Sequence, residues 1–199
     1  MAPAMFKVGD FKNDHLKDGT PVQFRIIGFN HDKDSSGLLV PMTWEMVDCM
    51  PQRYPWNRND TNEGSWPGTQ LFHRMNDRDG DIYQLLPDEL VRLATPVVKL
   101  TADTYHGENT IIESICKFWI KSEKETFGRC IYSAPGEGHW YEYYRQEDVP
   151  WQKKRNGNEE YTMLRSPYDT YAFCYVNTSG NASSNDAYIS IGLAPAFGL

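Results

Sequence analysis

Apolar residues in this chain gather into short, separated runs, and the spacing inside each run names its element. "VQFRIIGFNHD" (22–32) is rich in Val, Phe and Ile and predicts a strand that stops at the polar residues Asn30 to Asp34. "GLLVPMTWEMV" (37–47) predicts a second strand, with Asp34, Ser35, Ser36 and Gly37 as the hairpin turn between them. Residues 50–66 are dense in Pro, Asn and Asp and predict an irregular loop. Two helices are expected next. Ser65 would cap the first, with Pro67 in its opening turn and Leu71, Phe72 and Met75 as its apolar stripe. Pro87 would open or kink the second, which carries Leu90, Val91 and Leu93. "TPVVKLTAD", "ESICKFWIKS" and "GRCIYSA" are further strand candidates, with a short turn or helix at Glu123 to Phe127. "HWYEYYRQ" fits either type. "TYAFCYVNT" and "YISIGLAPAFGL" are β-like, joined by a Ser/Asn-rich loop at Ser179 to Asp186. Residues 1–20 are polar and form an arm or lead-in strand; residues 21–199 form a single α+β domain.

A chain of 199 residues can bury a full core. Its net charge of −7 argues against a nucleic-acid footprint. The one basic run, Lys153-Lys154-Arg155, is expected to be a solvated loop. No stretch predicts membrane insertion, and the first residues lack a signal-peptide core, so synthesis in the cytoplasm without standard export is expected. Cys49, Cys116, Cys130 and Cys174 lack close spacing and are expected to be buried free thiols.

The candidates for chemistry are few. "NDRDGD" (76–81) alternates acidic residues ahead of a glycine. Placing Gly80 sixth in a calcium loop puts Met75 and Leu86 at positions that need oxygen donors, so a turn between helices is expected. His15, His31, His73, His106 and His139 are scattered, and no metal-binding, nucleophile-elbow, Walker or dinucleotide pattern occurs. No metal, cofactor or catalytic residue is expected. The sequons at Asn59, Asn177 and Asn181 follow from local composition.

The last 34 residues, from Ser166, contain no Lys, Glu, Gln, Trp or Met. The preceding 165 residues hold 41 of these, so roughly eight would be expected. Between Ser166 and Ile191 stand four Tyr, five Ser and three Asn, a composition close to that of an antibody paratope. Tyr supplies rigid contact area; Ser and Asn supply adaptable hydrogen bonds. On a strand, Tyr171, Phe173, Tyr175 and Asn177 would share one face, with Ala172, Cys174 and Val176 on the other. Two readings stand: an exposed aromatic strip, or an ordinary antiparallel pair whose aromatics pack under a neighbouring loop.

"MLRSPYDTYAFCYVNTSGN…AYISIGLAPAFGL" (163–199) resembles the C-terminal pattern of phage-associated domains with a C-type-lectin-like fold. Within that fold it also resembles the variable proteins of diversity-generating retroelements. "SWPGTQLFHRMN", "YQLLPDEL", "TPVVKLT" and "FWIKSEKETFG" look like the same domain's helix pair and following strands. The resemblance implies two short helices packed on antiparallel sheets with extensive loops. It also implies a variable region at about 166–191, rewritten through asparagine codons that cannot become Lys, Glu, Gln, Trp or Met.

The scaffold would then be Arg165, Pro167, Ala172, Phe173, Val176, Gly180, Ala182, Ala187, Gly192, Leu193, Pro195, Ala196 and Phe197. The exchangeable, ligand-binding positions would be Tyr168, Asp169, Thr170, Tyr171, Tyr175, Asn177, Ser183, Ser184, Asn185, Asp186, Tyr188, Ile189, Ser190 and Ile191. The implied function is receptor binding, to a protein or glycan ligand on a target cell surface. The protein would sit on a virion, in association with its tail, or on a cell surface. The EPN and WND tripeptides of calcium-dependent sugar binders are absent. A second reading is a structural tail or capsid-decoration domain of the same fold without diversification. A third is an enzyme, since formylglycine-generating oxidases share this broad fold, but their redox-active cysteine pair has no counterpart here.

Overall fold

The computed structural model describes residues 6–105 and 110–199. The first five residues of the expected N-terminal arm, and His106, lie outside the described residues. The lead-in carries β1 (Phe11–His15), which pairs antiparallel with β2 (Pro21–Phe29). Asn30 ends β2 with a left-handed φ of 49°, and β3 (Met42–Met46) returns antiparallel to it. The Asp34 carboxylate fixes the intervening turn by accepting from Ser36 N at 2.8 Å and Leu38 N at 3.0 Å. An irregularity between Ile26 and Gly28 breaks the alternation of β2. Ahead of that break, alternation sends the consecutive isoleucines to opposite faces: Ile26 joins the main cluster, and Ile27 packs with Tyr141, Tyr143 and Tyr144.

The loop after β3 holds β4 (Arg53–Tyr54). Where two helices were expected, four short ones occur: α1 (Ser65–Gly68), α2 (Gln70–Asn76), α3 (Asp81–Leu85) and α4 (Asp88–Leu93). Pro87 stands immediately before α4 and so opens it. Ser65 is no cap; its buried hydroxyl donates to Ala102 O at 2.5 Å. Capping falls to Thr69, which accepts from Phe72 N at 3.0 Å at the start of α2. Arg74 and Asp81 pair across the "NDRDGD" turn.

There follow β5 (Val97–Asp103), β6 (Thr110–Cys116), β7 (Phe118–Trp119) and α5 (Glu123–Phe127), then a 3-10 turn at Tyr143–Arg145. The chain ends with β8 (Lys153–Arg155), β9 (Asn158–Glu160), β10 (Thr162–Pro167), β11 (Ala172–Val176), β12 (Ala182–Asp186), β13 (Ile191–Gly192) and β14 (Ala196–Gly198). The molecule is thus mixed α and β, mostly sheet, with few and short helices. One sheet runs β1-β2-β3-β14-β7 and another β12-β11-β10-β13-β4, with β5-β6 and β8-β9 as separate hairpins. Between them lies a core that includes Trp56, Trp66, Trp119, Phe118, Phe173 and Phe197.

Several expectations are corrected. Lys153 is no solvated loop residue: it starts β8, is buried, and donates to Met46 O at 2.8 Å. Cys130 is exposed, while Cys49, Cys116 and Cys174 are buried free thiols. "GRCIYSA" is bent, irregular backbone rather than a strand, and residues 182–186 of the expected Ser/Asn loop form β12.

Candidate functional site

The C-terminal sheet end is built on Arg165, which the backbone of β10 carries into the interior with no solvent exposure. Its guanidinium donates to both Glu125 oxygens, at 2.5 and 2.9 Å, and to Ile120 O at 3.0 Å and Glu137 O at 3.1 Å. Burial opposes ionisation of Glu125, yet Arg165 and Lys99 beside it hold its carboxyl well below the usual range. Glu137 has the opposite balance. Burial pushes its carboxyl up to about 7, against the lowering effect of Arg165 and of hydrogen bonds from Ser166 and Ala102 N.

Three polar anchors carry this interior order to the surface. The buried Glu123 carboxylate accepts from Ile131 N at 2.6 Å, Tyr132 N at 3.0 Å and Ser133 N at 2.9 Å. That fixes the loop bearing Tyr132, whose ring meets Tyr168 edge-on at 5.7 Å. Asp169 accepts from Tyr171 N at 2.9 Å and Ala172 N at 2.8 Å, closing the turn before β11. Its carbonyl in turn accepts from Thr104 Oγ at 2.5 Å and from the Asn62 amide.

On this frame Tyr168, Tyr171 and Tyr188 are 45%, 46% and 47% exposed, and Thr170 and Ser190 are exposed beside them in sequence. The Ala187 N to Tyr171 O bond of 2.9 Å and the Tyr168 N to Ala172 O bond of 2.9 Å bring the backbone segments that carry these tyrosines together at one end of the sheet. Asp60 joins them: partial desolvation and the carboxylates of Asp186 and Asp169 raise its pKa.

The expected strip keeps one face of β11 but is not exposed along its length, and the exchangeable residues of β12 are divided between the two faces. Tyr175 faces Ser183 and Phe173 faces Asn185 across β11 and β12, while Cys174 faces Ser184 and Ala172 faces Asp186. Alternation sends these two sets to opposite faces. Ser183, Ser184, Asn185, Asp186, Asp169, Tyr175, Asn177 and Ile189 are each half-buried. Phe173 is fully buried against Trp56 with rings stacked at 5.3 Å, and Tyr175 leans on Tyr161 at 5.2 Å. Asn177 sits at the far end, where its side chain closes the turn to β12 by accepting from Ser179 N at 2.9 Å. Ile191 is a correction: it is 3% exposed, pairs with Tyr54, and belongs to the core rather than to any outer surface.

Sequence reading passed over Tyr132, Ile131 and Tyr161, all of which are exposed. They lie outside the stretch whose composition was unusual, and only the Glu123 contacts and the ring pairings place them beside it.

Two other sites offer chemistry. His31, Asp32 and Glu125 bring ligand atoms within 4.8 Å of one another. The Lys99 ammonium already bridges that set, 2.7 Å from Asp32 and 2.6 Å from Glu125, so a side chain supplies the cation. A cleft of about 770 Å³ lies between the β1-β2 hairpin and the Asn156-Gly157 turn, away from the expected site residues. Its Cys49 thiol is pushed up to about 11 by burial and is therefore protonated at neutral pH. Among the described residues, no helix is long and apolar enough to cross a membrane.

No curated protein matches the chain, and no solved structure does. A family model described as Domain of unknown function (DUF6273) matches residues 38–199, from the connection between β2 and β3 to the residue after β14, and the chain belongs to that family.

Proposed function

We propose that this is a ligand-binding protein of C-type-lectin-like fold whose C-terminal surface is diversified by a retroelement. The observation that carries this reading is the cluster of exposed Tyr168, Tyr171 and Tyr188 on backbone held by Asp169, Asn62 and Thr104. It falls within a segment devoid of Lys, Glu, Gln, Trp and Met. Rigid aromatic groups on an ordered frame lose little entropy when a partner docks. Recognition needs no turnover: the tyrosines supply contact area, and Asp169, Asp186 and the neighbouring hydroxyls supply hydrogen bonds. The ligand is a protein or glycan on a target cell surface, and the protein works from a virion tail or a cell surface.

Two measurements test this. Flanking DNA should hold a reverse-transcriptase gene and a near-identical template copy of the 3′ end; their absence favours an undiversified structural virion domain. Replacing Tyr168, Tyr171 and Tyr188 together by Ser should leave the melting temperature nearly unchanged, since exposed substitutions stay within about 0.5 kcal/mol each. Loss of cooperative unfolding in that variant would refute the surface assignment.

A further inference from the structure

We propose that Lys121 and Glu45 form a spontaneous intramolecular isopeptide bond, tying β3 to the segment that follows β7 across the C-terminal strand β14. The two residues lie on opposite sides of that strand. Glu45 pairs with Ala196 of β14, and Ala196 pairs on its other edge with Trp119 of β7. Both side chains are almost wholly buried, and Lys121 Nζ is in direct contact with Glu45 Oε1. The other oxygen, Oε2, accepts from Tyr144 Oη at 2.5 Å and lies 3.2 Å from the buried Lys153 ammonium. Lys121 Nζ also sits 4.9 Å from the centre of the Tyr144 ring.

The charge count distinguishes this pair from the buried Lys99. Lys99 bridges two carboxylates, Asp32 and Glu125, and is fully compensated as an ammonium. Lys121 and Lys153 share the single carboxylate of Glu45. Glu125 and Asp48 add negative charge outside ion-pair contact and Arg25 and Arg165 add positive charge, so the contact carboxylate is outnumbered by buried cations; that is costly, and one amine is neutral. Burial first, and Lys153 second, hold the Lys121 amine well below its usual pKa. A neutral amine held against a carboxyl group is a competent nucleophile.

The step balances without any co-reactant. The Nζ lone pair attacks Cδ of Glu45, and the Nζ–Cδ bond forms. Negative charge gathers on Oε2, where the Tyr144 hydroxyl and Lys153 ammonium stabilise it. Oε1 then departs as water, taking one proton from Nζ and one relayed from the Lys153 ammonium through the carboxyl group, so that a neutral amide and a neutral Lys153 amine remain. Fixed contact replaces a bimolecular encounter, and exclusion of bulk water from the site favours condensation.

The intact mass of the purified full-length chain tests this directly. The expected mass is one water below that of the sequence, and a tryptic map should show a branched peptide joining the segments of Glu45 and Lys121, with no cleavage after Lys121. Lys121→Arg keeps a cation but removes the primary amine, and should restore the full mass. A wild-type chain at full sequence mass, with a Lys121 amine that acylates after unfolding, overturns the proposal. So does a lost water that persists in Lys121→Arg or maps elsewhere, for instance to a succinimide at Asp79-Gly80.

Discussion

Arg165 stabilises the interior because every strong acceptor around it is matched, so removing it leaves charge stranded. Arg165→Met should cost about 3–5 kcal/mol, the usual penalty for breaking a buried ion pair from one side, measured by urea unfolding. Glu137 gives a prediction in pH. Its carboxyl is raised from an ordinary 4.5 to about 7 in the folded protein. Between those values the unfolded chain has released a proton that the folded chain keeps. Stability from this group is therefore complete below about 4.5 and declines as pH rises to 7. Glu137→Gln can still accept from Ala102 N and reach Ser166, so it should flatten that part of the stability curve. Urea unfolding at several pH values between 4.5 and 7 checks it; an unchanged slope would show that another group titrates there. At this scale the sequence was only half legible. Arg165 could be marked as scaffold from its place in the tail, but Glu125 lies 40 positions away, and nothing local announces the pairing. Ile191 was misplaced for a related reason. Alternation says which residues share a face, while burial of Ile191 follows from β4 pairing on its strand.

Local propensity and tertiary demand disagree most clearly in two elements. Ser183, Ser184 and Asn185 read as loop, yet β12 forms because β11 presents five consecutive partners to it. The half-buried residues of β12 mark it as the edge of its sheet, where polar side chains are tolerated. The reverse holds at residues 128–134, where Ile131 and Tyr132 suggest a strand. There the Glu123 carboxylate takes the amides of residues 131–133, which a sheet partner would otherwise need. Glu123→Gln replaces that anion with a neutral amide of the same size. Hydrogen bonds to a charged acceptor contribute about 1.5–3 kcal/mol, and most of that should be lost. Amide hydrogen exchange at 131–133 should quicken markedly, while exchange in β10 and β11 stays slow. Equal protection in the variant would mean that Tyr132 is held by packing on Tyr168 instead. Of the helix expectations, the start at Pro87 holds, because proline fixes its own backbone wherever tertiary contacts lie, whereas each of the two expected helices is split in two.

Over the whole molecule, the order of the chain and the order of the sheets run against each other. The final strand β14 sits between β3 and β7, while β13 sits between β10 and β4, so the last nine residues enter both large sheets. The family match begins at residue 38, but β1 and β2, which precede it, complete the sheet on the β3 side. That edge is more than decoration. β2 brings Phe24 against Phe197 with ring centres 5.1 Å apart, and buries Ile26 and Ile27 in two separate clusters. Each such side chain is worth about 1.5–3 kcal/mol when fully buried. Three of them account for much of the about 5–15 kcal/mol by which a domain is stable. Removal would also leave the β3 amides and carbonyls that pair with β2 exposed along a new open edge. A chain of residues 38–199 should therefore lose its cooperative thermal transition and its near-ultraviolet circular dichroism, although it spans the whole family match. If that fragment melts cooperatively near the full-length temperature, β2 is an accessory strand, and the core is closed by β3, β14 and β7 alone.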